Sequence, residues 1–394
     1  MEIKPSRRAQ SVKTSPTLKI AAHAAELQRN GRTVLNLAAV EPDFASPAHV
    51  RDAAIAAIAA GCDGYTEIDG TPALKDAVVE KFLRENKLRF TPDQILISNG
   101  CKHSLYNLMQ ALLDDDDEVI IPAPYWVSYP DMARLAGAEP VIVRTKAKQH
   151  FKMTPDLLRG ALGPRTRLLV LNSPCNPTGA VYSAGELEAL AHVLHDFPEV
   201  VIVCDDIYEH VRWTAEPFTN LLNVAPRLHE RTVVINGVSK AYAMTGWRIG
   251  YAAGPAGLIG AMKRIQSQST SHPAAVAQAA AVAALRGNQD AIAAHVATLR
   301  KRHDFLVAEL RLIPGIELLP AAGTLYIFPD MSAIIDRLDA IDDDIALATW
   351  LLDEAGIATV PGTVFGAPGH LRLSYATPIE SLREAAAGLR RLLG

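Results

Sequence analysis

Between about residue 48 and residue 290 the chain alternates short, β-branched apolar runs with amphipathic stretches, and no other feature constrains its fold as strongly. The apolar runs are Ile95–Ser98, Glu118–Pro122, Pro140–Arg144, Arg167–Leu171, Val200–Cys204, Thr232–Asn236 and Ile249–Ala253. Helical patterns separate them at His103–Leu113, Trp126–Leu135, Thr154–Leu162 and Ser183–Leu194. Strands apolar on both faces and divided by helices predict a mostly parallel sheet covered on both sides. In such an α/β sheet ligands sit beyond the carboxyl ends of the strands, so polar residues just past each run are the first candidates for chemistry.

The texture changes after about residue 274. A long helical stretch runs from Ala274 towards Leu312 with an interruption near Gly287. Short β segments follow around Ile316–Leu319, Thr324–Phe328, Ile357–Val360 and Leu371–Tyr375, with helices at Asp343–Glu354 and Ile379–Leu393. We therefore expect a large domain over residues 48–290 and a smaller α+β domain over 291–394, with residues 1–47 packed against the smaller one. No internal repeat or long low-complexity linker separates them.

The 394 residues are enough for such an arrangement, and 49% hydrophobic with 21% charged residues is ordinary globular composition. A net charge of −4 without a long basic run gives no nucleic-acid partner. The start, Met1 to Arg8, lacks the apolar core of a signal peptide, and the most apolar stretch, Ala274 to Leu285, contains Gln278 and is too short to span a bilayer. Cys62, Cys101, Cys175 and Cys204 are scattered and form no C-x-x-C pair, which argues against zinc and against a disulfide framework and suits a reducing cytoplasm.

Four run ends carry unusual polar clusters. After the first come Asn99-Gly100-Cys101-Lys102, leading into a helix whose free N–H groups suit an anion such as phosphate, although a tight turn without a ligand fits equally well. After the fourth come Asn172-Ser173-Pro174-Cys175-Asn176-Pro177-Thr178-Gly179, a rigid loop able to fix a side-chain amide. After the fifth come Asp205-Asp206-Ile207-Tyr208, where two acids at the mouth of an apolar strand call for a cation, either a metal or a protonated ring nitrogen. No histidine or glutamate at recognisable spacing supports the metal. After the sixth come Gly237-Val238-Ser239-Lys240-Ala241 and then Gly246-Trp247-Arg248. This nearly matches the G-x-S-x-G elbow of serine hydrolases, with Ala241 in place of the last glycine and His370 as an arguable base. Lys240 offers another use of the loop, as an imine-forming amine, with Arg248 as a phosphate partner. Asp114–Asp117 reads as a solvated turn, and the nucleotide-binding glycine motifs are missing.

The order N-P-T-G, D-x-x-Y, S-K, G-W-R and a late R-L-S-Y at Arg372 resembles fold-type I pyridoxal-5′-phosphate (PLP) enzymes of the class I aminotransferase family. The likeness runs from Pro42-Asp43-Phe44 to Arg372-Leu373-Ser374-Tyr375, and Pro124–Tyr129 and Ala243–Arg248 look nearest to the bacterial aspartate and aspartate/prephenate branch. It implies a large mostly parallel-sheet domain with a smaller α+β domain, PLP on Lys240 as a Schiff base, and Lys240 as the proton shuttle. It further implies Asp205 on the pyridine nitrogen, Tyr208 and Asn176 on the phenolic oxygen, and Trp126 stacked on the ring. Gly100, Cys101, Lys102, Ser239 and Arg248 would hold the phosphate, with Tyr65 reaching in from a neighbouring subunit of a homodimer. Arg372, helped by Asn176 and Trp126, would grip the substrate α-carboxylate, and Lys102 the distal one. The implied reaction exchanges an amino group between aspartate or glutamate and a 2-oxo acid by a ping-pong route. Aromatic, prephenate or specialised biosynthetic substrates, or a PLP lyase or racemase of the same fold, are the alternatives. The sequence departs from the family pattern at Val40, near the expected substrate carboxylate, at Cys175 and Asp206, and in the acidic Glu67 and Asp69 beside Tyr65; these bear on the choice of donor and acceptor.

Overall fold

A computed structural model describes residues 4–12 and 16–394. Its strands are Leu35–Asn36 (β1), Ile95–Ser98 (β2), Glu118–Ala123 (β3), Glu139–Arg144 (β4), Thr166–Asn172 (β5), Val201–Asp205 (β6), Thr232–Gly237 (β7), Gly250–Ala253 (β8), Tyr326–Ile327 (β9), Ile357–Ala358 (β10), Val360–Pro361 (β11) and Leu371–Ser374 (β12). All seven predicted apolar runs become strands of one sheet, in the order β2-β8-β7-β6-β5-β3-β4. Its residues feed two cores alternately: Ile95, Ile97, Leu169, Leu171, Ile202 and Val234 pack on one face, and Leu96, Leu168, Val170, Val203, Val233 and Ile235 on the other. That two-sided burial is why the runs read as continuous apolar sequence rather than as alternation.

Six strands are parallel and β8 alone runs the other way, between β2 and β7. The reversal matters for the site. Gly250, the first residue of β8, pairs with both Ser98 and Gly237, the last residues of its neighbours. The chain therefore enters β8 at the same edge from which the parallel strands leave it, and Arg248 lies on that edge.

A third core joins Ile20 and Leu37 to residues between Leu299 and Leu393. Here β1 pairs in parallel with β10, and β11-β12-β9 form a small antiparallel sheet. The predicted helical stretch from Ala274 divides into Ala275–Arg286 and Asp290–Leu310 around Gly287. Two expectations are corrected. Ile316–Leu319 is not a strand, and only Glu317 bridges, to Asp330; Pro314-Gly315 before it and Pro320 after it leave too little chain able to continue a ladder. Ile357–Val360 is not one segment but two, since β10 and β11 belong to different sheets.

Candidate functional site

The ends of β5, β6 and β7 bring the predicted polar residues together. Asn172 is registered against Asp205, and Asp205 against Ile235. Asp205 is buried, its carboxylate accepting a hydrogen bond from Tyr129 Oη at 2.6 Å and one from the Ile207 N–H at 3.4 Å. Burial pushes this carboxyl up to about 6, against the opposing pull of the Tyr129 hydroxyl, the Ile207 N–H and the Lys240 charge. A carboxylate held so far from water is a site for a cation. Asn172 donates to the Asp205 carbonyl at 2.8 Å and accepts from the Asn176 N–H at 2.9 Å, joining the two strand ends.

Lys240 sits beyond β7, its Nζ donating to the Val40 carbonyl at 2.6 Å and lying 5.9 Å from the centre of the Tyr208 ring. The Tyr208 hydroxyl is hydrogen-bonded to that of Tyr326 at 3.0 Å, and burial, with Tyr326 close by, holds it well above the ordinary phenol range. Ser239 is buried beside Lys240. His370, the arguable base of a hydrolase, instead stacks on Phe328 at 4.9 Å and bonds the Pro368 carbonyl.

The phosphate-like corner is built where β8 reverses. Helix Cys101–Leu112 starts at Gly100, whose φ of 86° favours glycine and which faces the Arg248 guanidinium. The first N–H groups, those of Cys101 and Lys102, have no acceptor within the helix. A Cβ at Gly250 would strike the Gly100–Cys101 backbone, so that helix start can close on the strand only because Gly250 has none. Arg248, itself left-handed at φ 56°, donates to the Thr245 carbonyl at 2.9 Å and the Asn99 carbonyl at 3.2 Å. Lys102 Nζ lies 5.0 Å from the centre of the Trp126 ring, which packs edge-on against Tyr129. Desolvation, then the neighbouring Arg248 charge, draws the Lys102 pKa down. Two cations beside free helix N–H groups favour an anion.

Arg372, on β12, is buried and donates to Asn176 Oδ1 at 3.1 Å and to the Ala38 carbonyl at 3.2 Å. Its guanidinium lies over the rings of Tyr326, at 4.2 Å, and Phe365, at 5.0 Å. Its Nε has no partner, an unusual state for a buried donor and one that a ligand anion would relieve.

Residues 32–389 match the family model described as aminotransferase class I and II. The chain belongs to that family. It is 49% identical to an aspartate/prephenate aminotransferase of Nitrosomonas europaea, over 99% of this chain and all of that one. Its structure superposes on the aspartate aminotransferase of Rhizobium meliloti with a TM-score of 0.96 at 43% identity, covering 99% and 98% of the two chains. For the Thermus thermophilus aspartate aminotransferase with maleate the TM-score is 0.92 at 44% identity, with both chains covered in full. The protein is thus a transferase of amino groups, which sets aside the hydrolase reading of Ser239.

In this aminotransferase the departures noted in the sequence have definite places. Val40 is exposed, and its carbonyl is the acceptor for Lys240. Asp69 is turned inward and bridged by Lys75 and Lys263, both at 2.8 Å, so it presents no free charge. Glu67 is exposed. Cys175 is buried against the Pro124 carbonyl, and Asp206 is buried on Asn220 Nδ2 at 2.6 Å. Tyr65 does not join the site within one chain: it is 95% exposed and touches the His272 ring edge-on at 5.7 Å. Sequence reasoning assigned no role to Tyr129, Asn172, Tyr326 or the carbonyls of Ala38 and Val40. Asn172 was findable as the first polar residue after an apolar run, and Tyr129 lies in the Pro124–Tyr129 motif. Backbone carbonyls leave no residue-type signal.

Proposed function

We propose that the chain is a PLP-dependent aminotransferase that exchanges an amino group between aspartate or glutamate and a 2-oxo acid by a ping-pong mechanism. The observation that carries this is the pair at adjacent strand ends, the buried Asp205 carboxylate closing β6 and the Lys240 amine beyond β7, whose charge acts on it, together with the anion corner and the buried Arg372. A buried carboxylate at a strand end suits a protonated ring nitrogen, and the Gly100–Lys102 helix start with Ser239 and Arg248 suits a phosphate. Bound there, PLP supplies an aldehyde carbon that takes the amino group and a ring that withdraws electrons. Asp205 would hold the proton at the ring nitrogen, Tyr208 and Asn176 would serve the phenolic oxygen, and Trp126 would pack against the ring. Lys240 Nζ is the group that would move the proton to and from the substrate Cα. Arg372, with its spare Nε, takes the α-carboxylate next to Asn176 and Val40. We assign residues 48–290 to a large domain and 1–47 with 291–394 to a small one, and the cytoplasm as the compartment, in keeping with four free cysteines. Among the described residues no helix is long and apolar enough to cross a membrane.

Two measurements test the core of this reading. Borohydride reduction and peptide mapping should find the pyridoxyl group on Lys240, and amino acids alone should convert the visible spectrum of the bound cofactor in a half-reaction. Labelling elsewhere refutes the assignment, and keto acid released without that conversion favours a lyase.

Dicarboxylate preference is proposed on Lys102, and on relatives named for aspartate, one of them with maleate, a dicarboxylate. A charge-assisted hydrogen bond contributes about 1.5–3 kcal/mol, or roughly tenfold to a hundredfold. Lys102→Ala should lower kcat/KM for aspartate and glutamate by that factor and leave alanine and phenylalanine nearly unchanged. Equal losses for all four amino acids would assign Lys102 to the cofactor alone.

A homodimer with shared sites is proposed from Tyr65 and from Ile55 and Ile58, which stand 65% and 64% exposed on a nearby helix. Tyr65 would then serve the neighbouring subunit's phosphate. Mixing Tyr65→Phe with Lys240→Ala subunits should restore activity, because a hybrid dimer contains one site free of both changes. Strictly additive loss would count against sharing.

A further inference from the structure

Lys81 ends the Pro72–Lys81 helix with none of its surface exposed. A lysine is rarely buried whole unless its ammonium is paired. Here Nζ donates to Asn86 Oδ1 at 2.7 Å and to Glu209 Oε1, with Glu85 Oε2 3.7 Å away. The helix continues directly as a π-helix, Phe82–Asn86, which supplies both Glu85 and Asn86 and ends on the left-handed Lys87. Such insertions in helices frequently mark functional positions. Asn86 Nδ2 donates to Glu209 Oε2 at 2.6 Å, so both oxygens of Glu209 are held from this one segment.

Glu209 is the residue after Tyr208 and lies in the turn that leaves β6. Within that turn the Glu209 N–H donates to the Asp206 carbonyl at 2.9 Å and the Val211 N–H to the Tyr208 carbonyl at 2.8 Å. Asn220 grips Asp206 at 2.6 Å, and Asn223 ties back to the Asn86 carbonyl at 2.7 Å. The charges are matched in the same way. Burial raises the Glu209 carboxyl, but the Lys81 charge and His210 outweigh it and hold it below its ordinary value. Glu85 is likewise held at about 2, burial being outweighed by the His210 hydrogen bond and the Lys81 charge. Among the described residues Glu85, Glu209 and His210 are close enough together to hold a metal ion, yet the cation among them is the Lys81 ammonium.

We propose that Lys81 is a positioning residue for transamination: its buried ammonium ties the turn that carries Asp205 and Tyr208 to the Pro72–Asn86 segment and so fixes where those two side chains meet the cofactor. This rests on the cofactor reading of Asp205 and Tyr208 given above. Lys81 touches neither substrate nor cofactor and acts through Glu209.

The test compares the PLP-loaded wild type with Lys81→Met and with Lys81→Met/Glu209→Gln, which removes both charges and leaves no lone buried carboxylate at position 209. The readouts are circular dichroism for folding, the pH midpoint of the bound cofactor's visible absorbance, and kcat and KM taken separately. In the folded double variant the midpoint should shift by about one pH unit, a tenfold change in the proton equilibrium. Its kcat should fall about tenfold, a barrier change of roughly 1.4 kcal/mol, with KM little changed. A merely structural Lys81 would give a folded double variant with unmoved midpoint and kcat, and that result overturns the proposal. Should the double variant not fold, Glu209→Gln alone keeps the side-chain volume; a smaller shift in the same direction supports the proposal and an unmoved midpoint overturns it. A wild-type protein that takes up no PLP overturns the underlying reading of the site, whereas a normal wild type beside unmoved variants overturns only the role of Lys81.

Discussion

Asp205→Ala is expected to retain PLP but to lose turnover by roughly 10²- to 10⁴-fold, because breaking a buried ion pair costs about 3–5 kcal/mol and each 1.36 kcal/mol is tenfold in rate. Near-normal turnover would refute the pairing of Asp205 with the ring nitrogen. The same variant should change how the cofactor-free protein responds to pH. In the folded chain the Asp205 carboxyl is raised to about 6, so between about pH 4 and pH 6 it keeps a proton that the unfolded chain has released. Stability therefore falls as pH rises through that window, by about 3 kcal/mol from this group, and stays lost above it. Asp205→Ala should flatten that slope, and PLP binding should flatten it in the wild type, since a cation beside the carboxylate draws its pKa back down. Thermal unfolding midpoints between pH 4 and pH 7 check both. An unaltered slope in the variant would mean that another group governs it.

Lys240→Ala is expected to be the most damaging single change at the site. General acid–base groups contribute about 10²- to 10⁴-fold, and this lysine is also assigned the covalent link, so kcat should fall by roughly 10⁴-fold or more. Borohydride should then leave no pyridoxyl peptide at position 240. The variant frees the Val40 carbonyl, at present the acceptor for Nζ at 2.6 Å, without opening a core cavity, since Lys240 is only half-buried. Circular dichroism and unfolding should stay close to wild type. Turnover within a hundredfold of wild type would remove Lys240 from the proton transfer.

The sheet and most of the site were legible in the sequence for one physical reason. Strands buried on both faces are written as unbroken apolar runs, and the polar residues that follow them stand out against that background. Asn172, Asp205 and Gly237 end their strands within a residue of where the runs stop. The reversed direction of β8 was not legible, because an apolar run buried on both faces reads the same whichever way it points in the sheet. Lys81 was not legible either. A lysine in the last turn of a helix is the ordinary complement to the helix dipole, and nothing local says that Glu209, 128 positions on, will meet it. The acidic Asp69 looked like a charge near the substrate and is instead bridged to Lys75 and Lys263, which only tertiary packing could reveal.

The pairing of β1 with β10 has a bearing on how the enzyme is made. Leu35 finds its partner at Ile357, more than three hundred residues later in the chain. At a synthesis rate of about 5–20 residues per second, the stretch that carries the Ala38 and Val40 carbonyls waits roughly 15–60 s for its partner strand, while every strand of the seven-stranded sheet has already been made. A nascent chain can therefore assemble the edge bearing Asp205 and Lys240 well before the carbonyls that hold Lys240 and Arg372 are in place. The part of the site that is translated first is the part that is finished last.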